Sequence, residues 1–227
     1  MKKIIASFIA LAIICPSSYL AYKHHKRSEL VEEISPSIKN ASIRANNSIR
    51  IDIDDTSITF GELFKRLEND IEELDKQKIE VQSIATSANS DITNPSVDYL
   101  QAAQEFSRAL ASKYRKSLAL SNSTDAVDEA IAELRGANSY DFQYVKRRGD
   151  AALERMDKAT KEVFSSRDDL VKSSKKLLEN REKLVVLGVF SNELLVDVQG
   201  LKKVIEKNES KEKGGKAEEA KKTEAGT

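Results

Sequence analysis

The sequence predicts an all-α protein: an elongated helical bundle or coiled coil behind an N-terminal membrane-anchor helix. Three observations carry that expectation. Charged residues make up 33% of the chain, with only three prolines, no tryptophan and 6% aromatics, a composition suited to long amphipathic helices rather than a dense globular core. A seven-residue apolar register runs from Phe142 to Ile205. From Ile4 to Tyr22 there is no ionisable Asp, Glu, Lys, Arg or His.

Residues 1–27 read as a membrane anchor or an uncleaved signal. As a helix, residues 4–22 would span roughly 28 Å, close to the ~30 Å hydrocarbon core of a bilayer. Lys2 and Lys3 precede the segment, while Tyr19, Tyr22, Lys23, His24, His25, Lys26 and Arg27 follow it as an interfacial belt and basic collar. Cleavage needs small residues at minus three and minus one. The best pairs, Cys15 with Ser17 and Pro16 with Ser18, specify a site poorly, so retention is favoured. Lipid attachment at Cys15 is disfavoured by the bulky Ile14 before it. The expected membrane lipid contact therefore runs through residues 4–27, in a single pass. Flanking charges nearly tie for orientation, and likeness to an export signal places the body on the extracytoplasmic side. Glycosylation-type triplets starting at Asn40, Asn46, Asn122 and Asn208 decide nothing.

Residues 28–58 read as a linker. SELVEEIS extends the anchor helix until Pro36 interrupts it. SIRIDID, residues 48–54, alternates Ile49, Ile51 and Ile53 with polar neighbours, the pattern of a short half-buried strand. With no second strand nearby, it is expected to lie as an extended segment on the helices.

Residues 59–206 form the expected helical domain. Phe60, Phe64, Leu67, Ile71, Leu74, Val81, Ala85 and Ala88 mark one stripe, predicting a helix over about 59–89. Asn94 and Pro95 are a start signal for a second helix, with Tyr99, Ala103, Phe106, Leu110, Tyr114 and Leu118 on its stripe and an end near SNST at 121–124. A third, DAVDEAIAELR, closes at Gly136. The seam from Phe142 has Ser166, Ser173 and Asn180 in its middle, small groups that admit a neighbouring helix. Gly188 and Gly200 each cost about 1 kcal/mol in a helix, so a bend or break is expected near Leu187. The apolar run 183–198 is expected to be the most buried turn of the bundle. Residues 207–227 lack large apolar groups and read as a disordered charged tail.

Chemistry is sparse. Beyond Arg27 the chain has 32 basic against 37 acidic residues, which leaves no basic footprint for nucleic acid. The sole cysteine and both histidines lie within the first 25 residues, so the body holds no Ser-His-Asp, Cys-His or His-ligated zinc arrangement. Asp52, Asp54 and Asp55 lack the glycine and glutamate that a calcium loop needs after them. Arg148-Gly149-Asp150 spells an adhesion tripeptide, but Gly149 occupies a seam position. The expectation is a protein that is no enzyme and takes no cofactor. It reads as a membrane-tethered scaffold or tether, with an exported bundle binding a lipid or peptide as the alternative. Its interaction residues are expected on the distal seam, at Leu177, Leu184, Leu187, Leu194, Val198, Leu201 and Ile205, joining a homo-oligomer or a partner protein.

Overall fold

The computed structural model describes residues 2–54, 58–137 and 141–209, with side chains from Tyr22 onward. Helix α1 (Lys2–Asp54) runs straight through Pro36 and through the segment expected to be a strand. A proline inside a helix costs about 3 kcal/mol. Ile34, Ile38, Ala41 and Ala45, all at 0% exposure, repeat every three or four residues, and burying the two isoleucines alone stabilises by about 3–6 kcal/mol. That offsets the proline. The same spacing continues through Ser48, Ile49 and Asp52 into the core, so the alternation of Ile49, Ile51 and Ile53 is accidental and residues 28–54 are helix rather than linker.

Helix α2 (Phe60–Ser83) starts at a capping box, in which the Glu62 backbone N–H donates to Thr59 Oγ1 and the Glu62 carboxylate accepts from the Thr59 N–H, each at 3.3 Å. It ends six residues before its expected end, because Asn89 folds the chain back. Its Oδ1 accepts from the Thr86 N–H at 2.6 Å, and its Nδ2 donates to the Ile84 carbonyl at 2.9 Å. Helix α3 (Ser90–Gly136) begins before Pro95, anchored by buried Ile92 and Thr93, and continues past SNST to Gly136 as one helix. Inside it Ser123 Oγ and Thr124 Oγ1 donate to the carbonyls four residues back, at 2.8 and 3.0 Å. Helix α4 (Phe142–Leu187) carries the seam and stops at Gly188, whose φ of +66° places it in the left-handed region that glycine reaches without strain. A 3₁₀ turn (Asn192–Leu194) and helix α5 (residues 198–209) follow.

Side-chain bonds fix the directions of the helices. Ser42 bonds Tyr99 and Arg27 pairs with Asp91 at 3.2 Å, so α1 and α3 run parallel. Gln104 donates to the Ile71 carbonyl and Arg115 pairs with Glu68, so α2 and α3 are antiparallel. Lys176–Glu105, Lys116–Glu162 and Arg148–Glu133 pairs align α3 and α4 as a long antiparallel hairpin. The molecule therefore has two parts. In the base, α1, α2, α5 and the 3₁₀ segment surround the first half of α3 and the last half of α4, and one core contains Tyr99, Phe106, Leu110, Leu170, Leu177 and Leu184. Beyond about residue 116 of α3 and before about residue 163 of α4, the two helices continue as a stalk with no other element beside them among the described residues.

Among the described residues no helix is long and apolar enough to cross a membrane. The expected anchor, residues 4–22, has its side chains outside the described residues up to Ala21, and the expected tail lies outside them from Ser210.

Candidate interaction surfaces

The distal seam residues are not brought together on a free face. Gly188 reverses the chain, so α5 folds back beside α4 instead of extending it, with Glu209 of α5 pairing with Lys175 at 2.8 Å. Leu177, Leu184 and Leu201 are at 0% exposure inside the chain's own core, while Leu187, Leu194, Val198 and Ile205 are half-buried around it. The reading of one continuous helical seam to Ile205 is thus corrected at Gly188. Glycine also decides the packing at position 200. A Cβ there would meet Ile49 Cγ2 at 2.8 Å, so only glycine lets α5 lie this close to α1.

Two polar clusters bind the base together. Tyr99, fully buried, accepts from the Val196 N–H at 3.1 Å and bonds Ser42 Oγ at 2.8 Å, while Ser42 donates onward to the Ile38 carbonyl. Burial pushes its phenol above the ordinary 10.0. Deeper along α1, the buried Asp52 carboxylate accepts from the Lys113 ammonium and from Asn208 Nδ2, and its carbonyl accepts from Lys207. Burial pulls Lys113 below 10.5, and attraction to Asp52 offsets only part of that fall. Asp52 is therefore committed to closing α5 onto α1 and α3. Of its neighbours, the Asp54 side chain and Asp55 lie outside the described residues.

The stalk is different in kind. Its buried seam residues are small: Val127 and Ala130 on α3 and Val145, Ala152, Ala159 and Val163 on α4, with Gly149 set against Ala130 and Leu134. Larger apolar side chains face outward, with Tyr144 67% exposed, beside Ile131, Phe142 and Leu153. One side of the hairpin forms a groove of about 370 Å³, with Ala126, Ala130, Ala151 and Ala152 as its floor. Glu129 lines it from α3; Tyr144, Arg147, Arg148 and Arg155 line it from α4. Arg148 Nη1 donates to both oxygens of Glu133, at 3.0 and 2.8 Å, so the adhesion-like tripeptide is a helical segment with its arginine engaged within the chain. The sequence reading missed this groove. Its charges look like an ordinary solvated face until α3 and α4 are set in register.

A third surface lies near the start of α1, where His24, Arg27, Ser28 and Val31 border a shallow depression closed by Val189. Val186, 85% exposed, lies three residues from Val189 in the turn region. The apolar run 183–198 is therefore divided: Leu184, Phe190, Leu195 and Val196 are buried, and Val186 faces solvent.

Comparison of the chain with protein-family models, curated proteins and solved structures found no match.

Proposed function

We propose that the protein is a single-pass membrane-tethered scaffold whose base lies at the membrane and whose stalk holds an interaction surface away from it. It acts through packing surfaces rather than catalysis. The observation that supports this most is the continuity of α1. Residues 4–22, which carry no Asp, Glu, Lys, Arg or His in the sequence, belong to the same helix as Ile34, Ile38, Ala41 and Ala45 of the core. A tether built this way is stiff, because no loop separates anchor from body.

Geometry then supplies the reach. Since α3 runs parallel to α1 from the Arg27–Asp91 pair, the 46 residues from Asp91 to Gly136 carry the stalk tip about 70 Å away from the anchor end. The basic collar of Lys23, His24, His25, Lys26 and Arg27 that follows the apolar segment suits lipid head groups. The export-like segment favours an extracytoplasmic body.

Carbonate extraction of membranes tests the tether. The full-length chain is expected in the pellet. A shortened chain in the soluble fraction, starting after Ser17 or Ser18, would overturn the proposal in favour of an exported helix bundle that binds a lipid or peptide.

A further inference from the structure

The stalk groove has a property that a solvated helix face does not need: Glu129 on its α3 rim and Arg147 and Arg155 on its α4 rim share one groove without pairing among the described residues. Lys116–Glu162, Arg148–Glu133 and Lys176–Glu105 set the register of the hairpin. In that register Arg155 of α4 lies level with Ala126 of α3, within one turn of Glu129. Both Arg155 and Glu129 are exposed and line the same groove. Among the described residues neither has an ion-pair partner, and Arg147 has none either, although Glu133 beside them is fully used by Arg148.

We infer that the occupant of this groove is a second copy of the chain, paired stalk to stalk about a two-fold axis that runs along the hairpin. Symmetry and charge select this arrangement together. When the axis runs along the stalk, heights are preserved and each α4 lies over the α3 of the other copy. Arg155 of one copy then comes within about 5 Å, measured along the axis, of Glu129 of the other, twice over. When the axis runs across the stalk, α4 lies over α4 and α3 over α3, setting arginines against arginines and glutamates against glutamates. The alanine floor admits close approach of the second hairpin, and the exposed Tyr144 rings of the two copies come to the same height near the tip. An anionic membrane would engage Arg147 and Arg155 but leave Glu129 without a partner, whereas a second copy pairs both signs.

The available area is adequate. Past the base, two helices about 35 Å long and together about 20 Å wide offer roughly 700 Å² per copy, near the ~800 Å² per partner of a standard interface. The axis along the stalk also keeps both tips pointing the same way, which is the orientation that copies held in one membrane share. The inference rests on the scaffold reading only in treating the stalk as the working surface. Pellet recovery tests the anchor and the mass of solubilised protein tests the pairing, so either can fail alone.

The experiment measures the mass of the full chain in detergent by sedimentation velocity, with circular dichroism checking that each variant stays helical. The parent is expected as a dimer at micromolar concentration, with self-association weakened at high salt. Arg155→Glu and Glu129→Arg, each alone, should weaken it at least tenfold. The double variant Glu129→Arg/Arg155→Glu, which exchanges the charges, should restore the dimer. A monomeric parent overturns the inference, as does a dimer indifferent to both reversals. Failure of the helical double variant to regain the dimer also overturns it, because the two side chains would then not meet.

Discussion

Base and stalk are built from the same two helices, α3 and α4, yet are stabilised in different ways. In the base, α3 is enclosed: between Tyr99 and Ser107 only Gln101 is exposed, and Tyr99, Leu100 and Phe106 are fully buried against neighbouring helices. In the stalk each helix has one neighbour among the described residues, and the buried contact is mostly alanine and valine. Burial of apolar area scales stabilisation at about 25 cal/mol per Å², so a seam of small residues holds its helices together far more weakly than a core of leucine and aromatic side chains. The lesson is that one hairpin can be rigid at its root and easily opened at its tip, with no change of secondary structure between them.

The sharpest way to break the comparison is a cavity in the base. Leu177→Ala removes a side chain at 0% exposure from the shared core and should cost about 2–5 kcal/mol, read as a lower urea midpoint at unchanged slope. A loss below about 1 kcal/mol would mean that the base is packed no better than the stalk. A smaller effect is expected from Gly200→Ala, where the new methyl group meets Ile49 at 2.8 Å. Overpacking of this kind costs about 1–3 kcal/mol, and it should loosen α5 selectively. Faster amide exchange in residues 198–209, with α3 unchanged near Phe106, is the expected signature.

The smallest effect is a pH dependence that sharpens the boundary between the two regions. Glu162 staples α4 to α3 at the root of the stalk and Glu105 does so within the base, where the apolar core also holds the helices, and both are held below the ordinary 4.5. For Glu162 the cause is the hydrogen bond from Lys116. For Glu105 burial pushes upward, but the bonds from Lys176 and Gln101 together pull it down further. Because the folded values lie below the unfolded one, their stabilisation is complete above pH 4.5 and is lost as pH falls through the folded values. Amide exchange in residues 118–137, corrected for its intrinsic rate, should therefore rise at acid pH before that of residues 99–110 does. Simultaneous loss of protection in both stretches would show that the stalk and base open as one unit.

The seam of α4 was legible in advance because it is a plain periodicity. Val145, Ala152, Ala159, Val163, Ser166, Leu170, Ser173, Leu177, Asn180 and Leu184 all fall in the expected register and are all buried. The end of α4 was legible too, since a glycine at its close has a definite physical meaning. What misled were residues whose local preference is overridden by packing. Pro36 and the Ile49-Ile51-Ile53 alternation argue against helix locally, yet the stripe from Ile34 to Asp52 is satisfied only by helix. SNST resembles a helix end, but Ser123 and Thr124 satisfy their hydroxyls on helix carbonyls and so do not break it. The groove of the stalk was not legible at all, because Glu129 and Arg155 become neighbours only through the pairing of two helices.

The closing of α5 onto α1 also sets a timetable for biosynthesis. Asn46 waits for Asp197, 151 positions later, and Asp52 waits for Asn208, 156 positions later. At about 5–20 residues per second, a ribosome needs roughly 10–30 s to deliver those partners after α1 is made. Through that interval the inner side of α1 around Ile49 and Asp52 lacks its C-terminal cover, while the α3–α4 hairpin, whose contacts are nearer in sequence, can already zip. The base is thus completed after the stalk hairpin can form, and among the described helices α1 waits longest for its cover.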